Sequence, residues 1–242
     1  MIYGDHMSKY YIADMIVEFQ NRYDYLDNQC HSYLCNKTAP AEVSVLVTED
    51  ELRQERILSD RDYSNGYLES VCAYRKLCIA MTGHDGMLLH SSVISVNGRG
   101  IAFLAPSGTG KTTHTVMWKR LLGDQCTIIN GDKPIVRFFD GVPYAYGTPW
   151  AGKENLATNA KVRLTDLCFI CRDDEDSVQS LTPAECIDKT MIQILRPKEP
   201  AAALKTLELV DKLLHSCRLW QVNCTPTIDA AKTAYTAIIS KE

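Results

Sequence analysis

The alternation of apolar and polar positions divides the chain into strand-like and helical segments. Residues 10–19 and 43–47 are predicted strands, while the rest of the N-terminal part gives little periodic signal. Between residues 65 and 81, apolar side chains recur at a spacing that buries one face of a helix. Gly83 and Gly86 follow, so we expect the helix to end there.

The middle of the chain predicts a β-rich core. A strand-like run at 87–96 leads into Asn97-Gly98, and Asp140-Gly141 lies at the centre of a predicted hairpin. Both dipeptides tolerate the positive φ of a tight hairpin turn. The continuously apolar run at 101–104 predicts a central strand that is buried on both faces. It passes into a glycine-rich loop, which precedes a predicted helix at 113–122 and a strand at 126–129.

The C-terminal part predicts two strands and three helices. These are strands at 166–171 and 219–222, and helices at 183–195, 200–217 and 226–240. The order of elements predicts an α/β or α+β fold with a mixed, largely β central sheet and C-terminal helices. We divide the chain into an N-terminal α+β elaboration at 1–82, packed on the core, and a core at 83–242.

Composition narrows the functional classes. Hydrophobic residues make up 45% of the chain and charged residues 23%, which is typical of a globular protein. The formal net charge is -4 and no basic run occurs, so nucleic acid is not an expected partner. No apolar stretch approaches the roughly 20 residues that a membrane span needs. The N-terminus is polar where a signal peptide would be apolar, so we expect a cytoplasmic protein.

The cysteines do not indicate a disulfide framework. Ten of them are scattered through apolar segments, where we expect most to be reduced, buried side chains. Cys168 and Cys171 form a CxxC pair, but they lie in a predicted strand, where positions three apart face opposite sides. We therefore prefer burial to a zinc or redox site for this pair.

The glycine-rich loop carries the strongest chemical signal. Residues 105–112 match the phosphate-binding pattern GxxxxGK[ST], except that Ala105 replaces the first glycine. Gly108 and Gly110 allow backbone amides to point at phosphate oxygens, Lys111 can reach the β and γ phosphates, and the Thr112 hydroxyl can bind magnesium. The predicted cradle consists of Ser107, Gly108, Thr109, Gly110, Lys111, Thr112 and Thr113. The alternative is a glycine turn with an incidental lysine.

The run from Ser107 to Thr113 resembles the phosphate loop of HPr kinase/phosphorylases and phosphoenolpyruvate carboxykinases. From about His84 onward the sequence looks like the stand-alone HPr-kinase-like proteins, and residues 147–154 resemble their G-x-PW-x-GK element. The resemblance implies a P-loop kinase core of this type, ATP or GTP with Mg²⁺ as cofactors, and a 147–154 loop that faces the nucleotide. Because HPr kinases form ring-like assemblies, it also allows a homo-oligomer.

The same resemblance suggests further site residues. His90 is placed like a histidine that HPr kinases hold near the transferred phosphate. Asp132 follows a strand where the superfamily has two adjacent acidic residues, but Gly131 stands at the first of these positions. We expect Thr112 and Asp132 to bind magnesium.

Each of these residues also has a structural interpretation. His90 could be a hydrogen-bonded core residue, and Asp132 could be a turn residue after Asn130. Lys153 is either a second cation at the phosphates or a solvated surface lysine. Trp150 could be a packed aromatic. His114 and Trp118, four apart in the predicted helix, are expected packing or surface positions.

Phosphoryl transfer depends mainly on positioning and charge compensation, for which the sequence offers a cradle, a metal site and cations. We therefore expect an ATP-dependent kinase whose acceptor is a hydroxyl of a peptide, protein or small molecule. A non-catalytic nucleotide sensor is the alternative that Gly131 favours. A carboxykinase is less favoured, since such enzymes are much longer chains with additional metal-binding residues.

Overall fold

The computed structural model describes residues 6–239. The chain divides into two compact units, Met1–Met81 and Thr82–Glu242. Within the described residues, no helix has the length and apolar character that crossing a membrane requires.

The first unit is a small α+β assembly. Its strands are β1 (His6–Ile12), β2 (Met15–Asn21) and β3 (Val43–Leu46), and its helices are α1 (Asp24–Cys30), α2 (Glu49–Leu58) and α3 (Asn65–Ala80). β1 and β2 form a hairpin, and β3 pairs with β2 in parallel. The predicted strand at 10–19 is therefore two strands, joined at Ala13 and Asp14, whose φ angles are 53° and 60°. The predicted helix at 65–81 is confirmed, whereas α1 and α2 were not predicted.

The second unit is built on a nine-stranded, largely antiparallel sheet. Its strands are β4 (Gly86–Leu88), β5 (Ser92–Val96), β6 (Arg99–Leu104), β7 (Cys126–Asn130), β8 (Ile135–Phe139), β9 (Val142–Tyr146), β10 (Lys161–Arg172), β11 (Ser177–Ser180) and β12 (Arg218–Cys224). The main path runs β4-β8-β9-β10-β6-β5-β7, and β12 also pairs with β10. Both predicted hairpins are confirmed, with positive φ at each turn residue, namely Asn97, Gly98, Asp140 and Gly141.

Helices cover both faces of this sheet. They are α4 (Lys111–Leu122), α5 (Pro183–Met191), α6 (Pro200–Ser216) and α7 (Ile228–Ile238). Alternate residues of β6 enter different cores: Ala102 and Leu104 pack with α5 and α6, whereas Ile101 and Phe103 pack with α4 and α7. This two-sided burial explains the continuous apolar run of the strand. The predicted mixed α/β architecture with a largely β sheet is thus observed.

Several predicted boundaries differ from the structure. The predicted strand at 87–96 is interrupted, because residues 89–91 hydrogen-bond outside the local ladder. The amides of Leu89, His90 and Ser91 donate to the carbonyls of Pro134, Gln193 and Asp132. The predicted helix at 183–195 ends at Met191, and that at 226–240 begins at Ile228, with residue 240 outside the described residues.

The directions of the strands bring several chain segments to one edge of the sheet. β6, β10 and β12 are mutually parallel, and β5 is antiparallel to both β6 and β7. The carboxyl ends of β12, β10, β6 and β7 therefore lie at the same edge as the start of β5. In α/β sheets, such carboxyl ends are the usual place for a ligand.

Candidate functional site

The glycine-rich loop at 105–110, for which the sequence predicts phosphate binding, follows β6 at this edge and leads directly into α4. Its positive φ angles occur at the two glycines, 79° at Gly108 and 122° at Gly110. Within the described residues, the backbone amides of the first turn, from Gly110 to Thr113, have no hydrogen-bond acceptor. A helix N-terminus with open amides attracts anions. The loop therefore offers several donors to a single anionic group.

Lys111 lies folded over this loop. Its side chain is buried, and Nζ donates a hydrogen bond to the carbonyl oxygen of Ala105 at 2.6 Å. Burial lowers the pKa of Lys111, while the negative charge of nearby Asp132 opposes the shift. The backbone carbonyl that Nζ now contacts is uncharged. An anion bound in the loop would therefore form a stronger, charge-assisted hydrogen bond with Nζ.

Arg172 is a second cation on the loop, and it was missed from the sequence. It ends β10, and its guanidinium donates to the carbonyl of Thr109 at 2.9 Å and to that of Gly108. In the sequence, Arg172 is followed by the acidic residues at 173–176, and nothing in that run singles it out. Its position at the carboxyl end of a predicted central strand could have identified it as a candidate site residue.

Asp132 and His90 meet beside the loop, where Asp132 follows β7 and His90 precedes β5, the strand between β6 and β7. Oδ1 of Asp132 lies 3.1 Å from Nε2 of His90, and Oδ2 accepts from Nζ of Lys133 at 2.7 Å. Burial by itself would raise the pKa of Asp132. The hydrogen bond from His90 and the charge of Lys133 outweigh it and lower the pKa to about 2. Asp132 is thus a fixed anion in this cluster, and Lys133 is a further residue that the sequence did not single out.

A buried asparagine shapes the turn that presents Asp132. Oδ1 of Asn130 accepts from the amides of Asp132 and Lys133, both at 2.8 Å. Its Nδ2 donates to Thr148, at 3.1 Å from both the carbonyl and the hydroxyl oxygen. The turn interpretation of Asp132 therefore holds for its backbone, while its side chain remains directed to His90.

Gly131 has little room for a side chain. A Cβ at this position would lie 3.2 Å from the carbonyl oxygen of Ala151 and 3.3 Å from that of Leu156. The amide of Gly131 also donates to the Leu156 carbonyl at 2.8 Å. The 151–156 segment thus occupies the space in which a second acidic side chain would begin.

The loop at 147–154 lies against the same cluster. A Cβ on Gly152 would lie 3.1 Å from Cβ of Asp132, so the two residues are in close contact. Trp150 is buried, whereas the neighbouring Lys153 is exposed. Gly152 and Asp132 are therefore brought together, while the side chain of Lys153 is exposed to solvent.

A cavity of about 630 Å³ lies on the side of the glycine-rich loop that is opposite to His90 and Asp132. Its walls come from the loop, from α4, and from the segments that follow β10 and β12. They include Thr109, Thr113, Met117, Asp174, Cys224 and Thr227. Along the sheet edge, the order is thus the cavity, the glycine-rich loop, His90 and Asp132.

His114 and Trp118 form a buried pair beside the cavity. Nε1 of Trp118 donates to Nε2 of His114 at 3.0 Å, and the rings of Phe103 and His114 form a T-shaped pair at a centroid distance of 5.0 Å. Burial lowers the pKa of His114 to about 4. The packing interpretation is confirmed for both residues, but His114 also lines the cavity.

The described residues contain no cluster of three or more His, Cys, Asp or Glu side chains that could hold a metal ion. A divalent cation here would have Asp132 as its carboxylate. Magnesium commonly binds through one or two carboxylates together with phosphate oxygens and water. This donor set suits a metal that arrives with a phosphate ligand.

The sequence matches no protein-family model and no curated protein. Among solved structures, it is similar to an HPr(Ser) kinase/phosphatase from Coxiella burnetii, with a TM-score of 0.37 and 5% sequence identity. The match covers 63% of this chain and 97% of that chain. The likeness is one of distant fold only, so the function of the chain is inferred below from its own residues.

Proposed function

We propose that the chain binds a nucleoside triphosphate with magnesium and transfers the γ-phosphate to a hydroxyl group. The observation that carries the proposal is the helix N-terminus from Gly110 to Thr113, whose amides are open and beside which Lys111 is buried. Such a loop needs little rearrangement to bind a phosphate, because the open amides belong to consecutive residues at the start of one helix. Ser107, Gly108 and Thr109 complete the cradle.

The proposed metal site uses Thr112 and Asp132. The lowered pKa of Asp132 keeps its carboxylate ionised at neutral pH, which favours a cation ligand over a proton acceptor. Bound magnesium would neutralise charge on the β and γ phosphates. Lys111 and Arg172 would add positive charge on the loop side, and Lys153 would do so only if its exposed side chain turns toward the phosphates.

His90 is the proposed proton acceptor. Because Asp132 is ionised, it can only accept a hydrogen bond, so Nε2 of His90 is the donor in their contact. Neutral His90 then has its lone pair on Nδ1. An acceptor hydroxyl placed beside Nδ1 could pass its proton to His90 as the oxygen attacks phosphorus. Asp132 would hold the ring and stabilise the imidazolium.

A nucleotide sensor without transferase activity is the second candidate. The closed space beside Gly131 favours it, because only one carboxylate is available there and magnesium would occupy it. Both candidates require nucleotide binding, and they differ in whether His90 can act as the base.

Binding and transfer test the two steps separately. We would measure binding of ATP and of tripolyphosphate with magnesium by calorimetry, and phosphate transfer from labelled ATP to a library of serine, threonine and tyrosine peptides. Lys111→Ala should weaken binding of both ligands by about tenfold or more, since it removes a charge-assisted contact. Exposed Lys212 on α6 provides the matched control, and Lys212→Ala should change neither measurement.

The outcomes separate the candidates. Wild-type transfer that is lost in His90→Gln, with ATP binding intact, supports the kinase. ATP binding that Lys111→Ala abolishes, without transfer to any peptide in the library or to water, supports the sensor. Equal binding by wild type and Lys111→Ala would overturn the assignment of the cradle.

A further inference from the structure

The cavity beside the cradle has the chemistry of a site for an uncharged ring. Met117, Cys224 and Pro226 contribute apolar surface, whereas Asp173 and Asp174 contribute carboxylates. Arg172 also lines the cavity, but its guanidinium already donates to the carbonyls of Gly108 and Thr109. The two carboxylates offset its charge, so the cavity offers a phosphate less than the cradle does. At about 630 Å³, the cavity is within the range of roughly 300–1,000 Å³ typical of small-molecule sites.

His114 lines this cavity, and its two ring nitrogens have different roles. The indole N–H of Trp118 can only donate, so Nε2 of His114 must be the acceptor and carry no proton. Burial disfavours a charged imidazole, so the single proton lies on Nδ1. Within the described part of the chain, Nδ1 has no hydrogen-bond partner.

We infer that this cavity takes the purine ring of the bound nucleotide, and that His114 selects it by donating a hydrogen bond from Nδ1 to an acceptor ring nitrogen. The inference rests on the proposed function, because the cradle must hold the phosphates of the same ligand. The cavity adjoins the cradle at Thr113, the residue after Thr112, the proposed magnesium ligand. Phosphates in the cradle would therefore leave the nucleoside beside His114.

The arrangement makes His114 a donor under all physiological conditions. A histidine with both nitrogens exposed could donate or accept by exchanging tautomers. In His114, the other tautomer would carry its proton on Nε2, where it would face the N–H group of Trp118. That contact is repulsive, so the tautomer is fixed. A ring that lacks the matching acceptor would leave Nδ1–H buried and unpaired, which is the usual basis of such discrimination.

Deaza analogues test the hydrogen bond directly. We would measure the Kd of ATP and of its 1-deaza, 3-deaza and 7-deaza analogues, each of which replaces one acceptor nitrogen with C–H. Wild type should bind one of the three about tenfold more weakly than ATP, as expected for one lost hydrogen bond with an unpaired donor. Equal binding of all three analogues and ATP would overturn the inference.

Two substitutions separate the nitrogens of His114. His114→Asn keeps an amide donor near the position of Nδ1, so the analogue penalty should persist. His114→Gln extends its amide toward Trp118 and lacks a donor near Nδ1, so ATP and the affected analogue should bind equally. A penalty that remains in His114→Gln would contradict the assignment. His215→Gln, at an exposed histidine of α6, should behave as wild type.

Tripolyphosphate distinguishes failure of this inference from failure of the proposed function. It has no base, so all the His114 variants should bind it as tightly as wild type does. Normal tripolyphosphate binding without any deaza penalty would reject the role of His114 and leave the cradle standing. If wild type bound neither ATP nor tripolyphosphate, both proposals would be wrong.

Discussion

The charge of Asp132 should contribute measurably to the stability of the second unit. Its carboxylate lies between His90 and Lys133, and the pKa falls from the ordinary value of 3.8 to about 2. Each tenfold change in proton affinity corresponds to about 1.4 kcal/mol, so the ionised carboxylate stabilises the folded state by about 2 kcal/mol. Asp132→Asn keeps an acceptor for His90 but removes this charge.

The pH dependence of the effect has a definite sign. A lowered pKa means that the unfolded chain binds the proton more tightly than the folded chain. The stabilisation is therefore complete above the unfolded pKa of 3.8 and disappears as the pH falls to about 2. Wild type should be more stable than Asp132→Asn by about 2 kcal/mol at pH 7, and the difference should shrink as the pH falls from about 4 to about 2.

Urea unfolding followed by tryptophan fluorescence measures this difference. All three tryptophans, Trp118, Trp150 and Trp220, belong to the second unit, so the signal reports on that unit. Asp124→Asn provides the control, because Asp124 is an exposed carboxylate just after α4. It should unfold as wild type does at every pH.

Two results would refute the reasoning. Equal stability of wild type and Asp132→Asn at pH 7 would mean that burial cancels the favourable contacts with His90 and Lys133. A difference that stays constant down to pH 2.5 would mean that the substitution acts through packing rather than through charge.

Two further predictions concern the loops around the site. Gly147→Ala should destabilise the second unit by about 3 kcal/mol in the same urea assay, because its Cβ would lie 1.9 Å from the carbonyl oxygen of Thr158. Gly83→Ala, where a Cβ meets no atom within 4 Å, should cost less than about 1 kcal/mol, and similar losses for the two variants would contradict the steric argument. Arg172→Ala should release the carbonyls of Gly108 and Thr109, so that the hydrogen-bonded amides of Thr109 and His114 exchange about five- to tenfold faster, measured by mass spectrometry on the peptide at 105–114. Unchanged exchange in that peptide would show that Arg172 does not order the loop.

The parts of the fold that could be predicted from the sequence are those whose structure depends on residues close together in the chain. Asn97-Gly98 and Asp140-Gly141 form hairpin turns because the turn conformation depends on the two residues themselves. The strand at 101–104, the glycine loop and the helix after it were likewise recognised, since their pattern and glycine positions are contained in one short segment. In the first unit, α1 and α2 lacked a sustained periodic pattern and were not recognised.

The composition of the site depended on contacts between distant segments. The sequence alone predicted a phosphate cradle from Ser107 to Thr113, because a phosphate loop is contiguous and its glycines leave a local signature. It could not show that residues 89–91 leave the strand ladder and bring His90 to Asp132, since their partners lie about 40 to 100 positions away. Nor could it show that other segments close the space at Gly131 or fix the proton of His114. Those features follow from packing across the sheet edge, which only the tertiary structure decides.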